Sequence, residues 1–71
     1  MIMHATVLRV QNGNLLVRDH RNTQEVVVHT RFARHFRVGD RVRILYNGIM
    51  TMSLPPQITA IRIVRLSACN C

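Results

Sequence analysis

Apolar residues in this chain alternate with polar ones over several short segments, and turn-forming residues separate those segments. A period of two is typical of half-buried β-strands, whereas an amphipathic helix repeats about every 3.6 residues. The first two segments, 3–10 and 14–19, flank Asn12-Gly13, a dipeptide typical of two-residue hairpin loops. The pattern therefore predicts a mostly β protein that begins with a hairpin. We expect its turn to be of type I′, with positive φ at both central residues.

A two-residue loop determines which residues face each other across this hairpin. It pairs Val10 with Leu15 on one face of the sheet. Further from the turn it pairs Leu8 with Val17 on the same face. A third apolar segment, 24–29, continues this face with valines. We therefore take this face as the side that packs in the core.

The opposite face of these three strands carries most of their polar residues. The same register places Arg9 opposite Leu16. It also places Val7 opposite Arg18, and Arg18 faces Glu25 on the third strand as a stabilising pair of opposite charge. A shift of one residue would turn both arginines into the core, where an unpaired charge is costly. We therefore expect Val7 on the outer face.

The alternation stops between the third and fourth strands. Phe32 and Phe36 are four residues apart, a spacing that brings two side chains to one face of a helix. We expect a short helix or 3₁₀ turn there that plugs one open end of the sheet, with both rings in the core. A fourth strand is predicted at 41–46, and its inward face carries Tyr46.

The last strand is predicted at 57–66, after a long connection that ends in Pro55-Pro56. Its alternation slips at Ala60-Ile61, which indicates either that both faces of the strand are covered or that a β-bulge lies there, and we favour the bulge. Three strands, a helical plug and two more strands follow each other in the order of the OB-fold, a five-stranded barrel. We therefore predict an all-β, OB-like barrel of five strands, with an SH3-like barrel as the alternative.

A chain of 71 residues is long enough for one domain. We assign 1–66 to the barrel and 67–71 to a flexible C-terminal tail, in which Cys69 and Cys71 are expected to be reduced and exposed. No apolar run approaches the roughly 20 residues of a membrane span, and the N-terminal segment lacks the pattern of a signal peptide. We therefore expect a cytoplasmic protein that makes no membrane contact.

Ten arginines, no lysine and three acidic residues give the chain a net charge of +7. A surplus this large attracts phosphate backbones regardless of sequence, and OB barrels bind single strands. The candidate nucleic-acid-binding residues are four arginines expected to point outward: Arg9, Arg18, Arg41 and Arg43. The expected outer surface lacks the aromatic side chains on which bases stack. The nucleotide composition of the genome is an alternative origin for the arginine content.

A group of apolar residues is expected on the outer face or in the long connection. Its members are Val7, Leu16, Val27, Leu45, Met50 and Met52. Monomers rarely expose contiguous apolar patches of several hundred square ångströms, so this group predicts contact with another protein. A second copy of the chain would also enlarge a small core. We therefore expect a self-associating interaction module, and sequence-tolerant binding of single-stranded nucleic acid is the alternative.

The chemistry-bearing residues form no motif of catalysis or metal binding. The acids are Asp19, Glu25 and Asp40, and their spacing pairs no two of them for general acid and base roles. The histidines lack the spacing of metal ligands. We expect no enzymatic activity, no metal and no cofactor.

The C-terminal half carries a series of short motifs with a known counterpart. They are Gly39-Asp40 before a strand, Tyr46-Asn47-Gly48 after it, and then Ser53-Leu54-Pro55-Pro56-Gln57. Over residues 36–63 this series resembles small bacterial proteins and lipoprotein domains of uncharacterised function, to which an OB-like fold is ascribed. The resemblance implies an OB-like fold and a bacterial origin, and it implies no particular chemistry.

Overall fold

Five β-strands and one short 3₁₀ turn follow each other along the chain. The computed structural model describes residues 1–66, so the predicted tail 67–71 with Cys69 and Cys71 lies outside the described residues. The strands in chain order are β1 (Ile2–Gln11), β2 (Asn14–Asp19), β3 (Glu25–His29), β4 (Arg41–Tyr46) and β5 (Gln57–Arg65). The 3₁₀ turn spans Ala33–His35 and lies between β3 and β4.

The strands close into a barrel in the order β1-β2-β3-β5-β4, and β4 pairs back onto β1. All neighbours are antiparallel except β3 and β5, which run parallel with Val28 opposite Ile58. This order, with the helical turn between β3 and β4, confirms the predicted OB-like barrel. The SH3-like alternative required a helical turn before the last strand, and the connection between β4 and β5 contains none.

The first turn has the predicted length but a different backbone conformation. Gln11 pairs with Asn14, so the loop consists of two residues. Gly13 has a φ of 84°, and Thr23 is the only non-glycine among the described residues with a positive φ. Asn12 therefore lacks the positive φ of a type I′ turn, and that prediction is wrong. A positive φ confined to the second central residue is typical of a type II turn.

A bulge in β1 overturns one predicted pairing of the hairpin. Near the turn the ladder has the predicted register, with Arg9 opposite Leu16. Beyond it Val7 lies opposite Val17, so Leu8 is an extra residue with no partner on β2. Val7 is consequently on the core side and fully buried, and its predicted outer position is wrong. Alternation alone does not locate such a bulge, because Val7 and Leu8 are both apolar and either one satisfies the core.

The core is a single cluster of mainly aliphatic side chains inside the barrel. Its buried residues are Met3, Ala5, Val7, Leu15, Val17, Val26, Val28, Ala33, Phe36, Val42, Ile44, Tyr46 and Ile58. Every strand contributes to this cluster, and the 3₁₀ turn adds Ala33. The predicted pairings between β2 and β3 and the predicted inward face of β4 are confirmed.

Phe32 departs from its predicted place in the core. Phe36 is buried, but Phe32 is 53% exposed. Of the two predicted possibilities the chain makes the 3₁₀ turn, which has three residues and Phe32 as its N-cap. The i, i+4 spacing brings two side chains to one face only in an α-helical turn, so this turn does not carry Phe32 into the core with Phe36. The ring instead lies edge-on against His35, with 5.7 Å between the ring centroids.

The predicted bulge in β5 is confirmed. Tyr46 on β4 lies opposite Ala60, whereas Leu45 lies opposite Arg62. Ile61 is therefore the extra residue on β5, and it is exposed. The bulge reverses the parity of the strand, so that Arg62 faces outward.

Arg65 joins the end of β5 to the segment that plugs the barrel. Its Nε lies 3.0 Å from Oδ2 of Asp40, and its guanidinium carbon lies 5.8 Å from the centroid of the Phe36 ring. The same guanidinium donates to the carbonyl oxygen of His35. Asp40 also accepts a hydrogen bond from the backbone N–H of Arg37 at 2.8 Å. These contacts hold the plug against the barrel through one charged side chain.

Candidate nucleic-acid interface

The outer surface of β2, β1 and β4 brings together three of the four predicted arginines. Thr6 on β1 lies opposite Arg18 on β2 and also opposite Arg41 on β4. Outward side chains from three strands therefore form one row across the barrel. In the neighbouring row, about 7 Å further along the strands, Arg43 lies opposite His4. We call these five residues the basic strip.

The fourth predicted arginine lies at the margin of this arrangement. Arg9 is exposed on the same surface, but it follows the bulge in β1 and lies opposite Leu16. The ladder between β1 and β4 ends at Thr6 and Arg41. Arg9 therefore has no arginine beside it on β4.

Two basic side chains that sequence reasoning did not single out extend the strip. Arg62 faces outward on β5 opposite Leu45, in the row that follows Arg43. His20 follows β2, and its Nε2 lies 2.6 Å from the Thr6 hydroxyl oxygen. His4 and His20 also line an adjoining depression of about 410 Å³. The break in the alternation of β5 indicated that Arg62 could face outward, whereas no local sequence pattern pointed to His20.

The acidic side chains are engaged elsewhere or bind only weakly to the strip. Asp40 pairs with Arg65, and the buried Asp19 accepts a hydrogen bond from a backbone N–H at 2.8 Å. Glu25 lies 3.8 Å from Arg18, as the cross-strand pairing predicted, and both side chains are half-exposed. Exposed pairs of this kind contribute about 0.2–1 kcal/mol. Arg18 is therefore available to exchange Glu25 for a stronger anion.

Arg41 and Arg43 present their full charge to the solvent. Both are exposed, and within residues 1–66 neither forms an ion pair. Guanidinium groups bind phosphate oxygens through two parallel hydrogen bonds, an arrangement that adds both strength and geometric selectivity. The strip can therefore hold phosphate groups at β2 and at β4, on either side of β1.

The residues of the predicted apolar patch do not lie together in the structure. Three of them are on the first three strands. Val7 is in the core and cannot contact a partner. Leu16 and Val27 do face each other on the outer side of β2 and β3, where both are half-buried. Because both side chains are half-buried within one chain, only a small area of this pair is exposed.

The remaining three patch residues lie apart from that pair. Leu45 is outward on β4 and 39% exposed, but it lies opposite Ile2 at the other end of β1. Met50 packs against the core from the connection between β4 and β5. Met52, in the same connection, is 98% exposed. The predicted patch is therefore not one continuous surface.

Metal sites and membrane-spanning helices are both absent from residues 1–66. No three or more histidine, cysteine, aspartate or glutamate side chains in this range come together in a way that could hold a metal ion. No helix within it is long and apolar enough to cross a membrane.

The chain was also compared with known proteins. A scan against protein-family models, a search of curated proteins and a search of solved structures each found no match.

Proposed function

We propose that this barrel binds single-stranded nucleic acid, with little dependence on base sequence, through the basic strip. The observation that carries the proposal is the row in which Arg18 and Arg41 flank Thr6, with Arg43 in the next row. Three guanidinium groups on β2 and β4, on either side of β1, form a positive track for a phosphate backbone. Arg9 adds a fourth contact at the margin.

The chemistry of the strip favours the backbone over the bases. Its charged groups are donors only, and guanidinium groups pair with phosphate oxygens in any sequence context. The net charge of +7 adds long-range attraction that speeds the encounter with a polyanion. We propose a single strand because OB-like barrels bind this class of ligand. The strip lies on β2, β1 and β4, whereas such barrels generally bind on the face of their second and third strands.

The salt dependence of binding tests this proposal directly. Four phosphate contacts to a single strand predict a log–log slope of affinity against salt of about −3. Affinity for a labelled oligonucleotide of roughly 15 nucleotides is therefore expected to fall about 60-fold between roughly 50 and 200 mM salt. Fluorescence anisotropy measures this fall. Absence of binding at the lower salt, or a slope near zero, contradicts the proposal.

Self-association is a second candidate function, and it rests on the connection between β4 and β5. Met52 and Leu54 are almost fully exposed there. Apolar side chains at the tip of a loop are unfavourable in water, and a second copy of the chain would cover them. The contact would then differ from the sheet face that the sequence favoured, since Val7 is buried and Leu16 is half-buried.

Replacing both Met52 and Leu54 by glutamine tests self-association. Light scattering at tens of micromolar is expected to show a dimer or larger species for the unmodified chain and a monomer for the variant. Val38→Gln is the matched control, because Val38 is also exposed but lies in a different connection. A monomeric unmodified chain contradicts the second candidate.

We also propose a cytoplasmic location and a bacterial origin for this protein. We further propose that it is related to the small bacterial proteins that residues 36–63 resemble. The OB-like strand order supports that relationship.

A further inference from the structure

An open groove lies between the 3₁₀ turn and the bulge of β5. The two strands β3 and β5 pair only as far as His29 and Thr59. Beyond that point β5 continues along β4 while the chain after β3 turns away towards Phe32. The space between them has a volume of about 560 Å³. Small-molecule sites range from about 300 to 1,000 Å³, so the groove is large enough for one nucleotide.

Phe32 supplies this groove with an exposed aromatic ring. The ring lines the groove, and the Phe32 side chain is the most exposed of the three aromatic residues in the chain. His35 contacts it in a T-shaped arrangement, with 72° between the ring planes. An exposed aromatic face is the surface on which unpaired bases stack in proteins that bind single strands.

The charged lining of the groove is entirely basic. Arg31 and Arg62 both line it, and so does His29. The His29 ring is held by Gln57, whose Oε1 lies 2.7 Å from Nε2. No acidic side chain is among the groove's lining residues. An aromatic ring beside two guanidinium groups matches the chemistry of a nucleotide, which combines a stacking base with a phosphate.

The groove is continuous with the basic strip through Arg62. Arg62 lies in the row next to that of Arg43 on the outer surface of β4 and β5, and it also lines the groove. A strand that follows the strip across β1 and β4 therefore reaches the groove at β5. The strip itself contains no phenylalanine, tyrosine or tryptophan, and Phe32 supplies such a ring.

We propose that this groove binds one nucleotide, with the base stacked on Phe32 and the phosphate held by Arg31 and Arg62. This inference rests on the proposed function where the nucleotide belongs to a strand bound along the strip. The same chemistry describes a free nucleotide, so the experiment includes both ligands. Ile61, exposed at the bulge, covers the base from the side of β5.

The test compares Phe32→Leu with Phe32→Tyr in binding to an adenine-containing oligonucleotide. Leucine removes the stacking surface but keeps an apolar side chain at an exposed position, so folding is preserved. Affinity is expected to fall about ten-fold, with the salt slope unchanged because the substitution removes no charge. Tyrosine is expected to restore the affinity to that of the unmodified chain.

The phosphate half of the proposal has its own variant and control. Replacing Arg31 and Arg62 by serine is expected to weaken binding and to reduce the salt slope by about 0.7, because the one phosphate that they hold together is no longer neutralised. The control replaces Arg34 and Arg37, which are also exposed and lie outside the groove lining. It is expected to leave the slope close to that of the unmodified chain.

Free adenylate, adenosine and inorganic phosphate distinguish the sources of the ligand. Tighter binding of adenylate than of the oligonucleotide identifies a free nucleotide as the ligand. Tighter binding of the oligonucleotide identifies a strand. Each result supports the groove if the binding depends on Phe32. Equal binding of phosphate and adenylate overturns base stacking. An oligonucleotide affinity unchanged in Phe32→Leu overturns the inference but leaves the proposed function standing. Adenylate binding that depends on Phe32, without any oligonucleotide binding, supports the nucleotide groove and contradicts the proposed function.

Discussion

Replacement of Val7 by aspartate is expected to abolish cooperative folding, whereas the same replacement at Leu8 is expected to leave the barrel folded. Val7 is fully buried and Leu8 is half-buried at the bulge of β1. An unpaired buried charge costs about 3–5 kcal/mol, and the lost packing of valine adds about 1–2 kcal/mol. A chain of 71 residues has a free energy of unfolding of about 4–10 kcal/mol. Most of that stability is therefore removed at Val7, and about 1 kcal/mol at Leu8.

Circular dichroism during urea unfolding distinguishes the two variants. Leu8→Asp should unfold in one transition at a moderately lower urea concentration, while Val7→Asp should show no transition at all. The pair also discriminates between two registers of the hairpin, since the uninterrupted register places Leu8 inward and Val7 outward. A folded Val7→Asp together with an unfolded Leu8→Asp would establish that β1 has no bulge.

Reversing the charge of the basic strip is expected to produce the largest change in nucleic-acid affinity. Replacing Arg41 and Arg43 by glutamate removes two phosphate contacts and places two negative charges on the same track. A loss of about ten-fold for each residue gives about 100-fold in total. The salt slope is expected to fall from about −3 to about −1.4, because two phosphates are still neutralised. Anisotropy titrations at several salt concentrations measure both quantities.

A matched charge reversal separates a local site from the overall charge. Replacing Arg34 and Arg37 by glutamate changes the net charge by the same amount at exposed positions outside the strip. That variant is expected to lose no more than about three-fold in affinity, through long-range attraction alone. Equal losses in the two variants would mean that binding follows net charge and that the strip is not a site. Circular dichroism confirms that both variants fold.

The strands themselves were predictable because their signals are local. The alternation along β4 and its turn residues predicted a strand at 41–46, with Tyr46 inward, and the structure has it there. The break of parity at Ala60-Ile61 predicted the bulge of β5, since polar and apolar residues change sides at that point. Along β4 neighbouring residues differ clearly in polarity, which makes the pattern of that strand unambiguous.

Two parts of the molecule could not be predicted from local pattern. The bulge at Leu8 falls in an apolar run, where both registers bury a similar side chain. Phe32 has the spacing of a helical face, but the chain completes only a 3₁₀ turn before Phe36 enters the core. Because the spacing placed Phe32 in the core, the sequence did not reveal the aromatic ring that lines the proposed nucleotide groove.

By itself the sequence determined the strands, the inward faces of β2, β3 and β4 and the OB-like order, because period and turn chemistry act between neighbours along the chain. Only the tertiary structure decided which outward residues meet. Arg18 and Arg41 lie on strands far apart in sequence, and they flank Thr6 because β4 closes the barrel onto β1. The same closure separates Leu45 from Leu16. Pairing between distant strands depends on how the whole barrel fills its core, which no local pattern encodes.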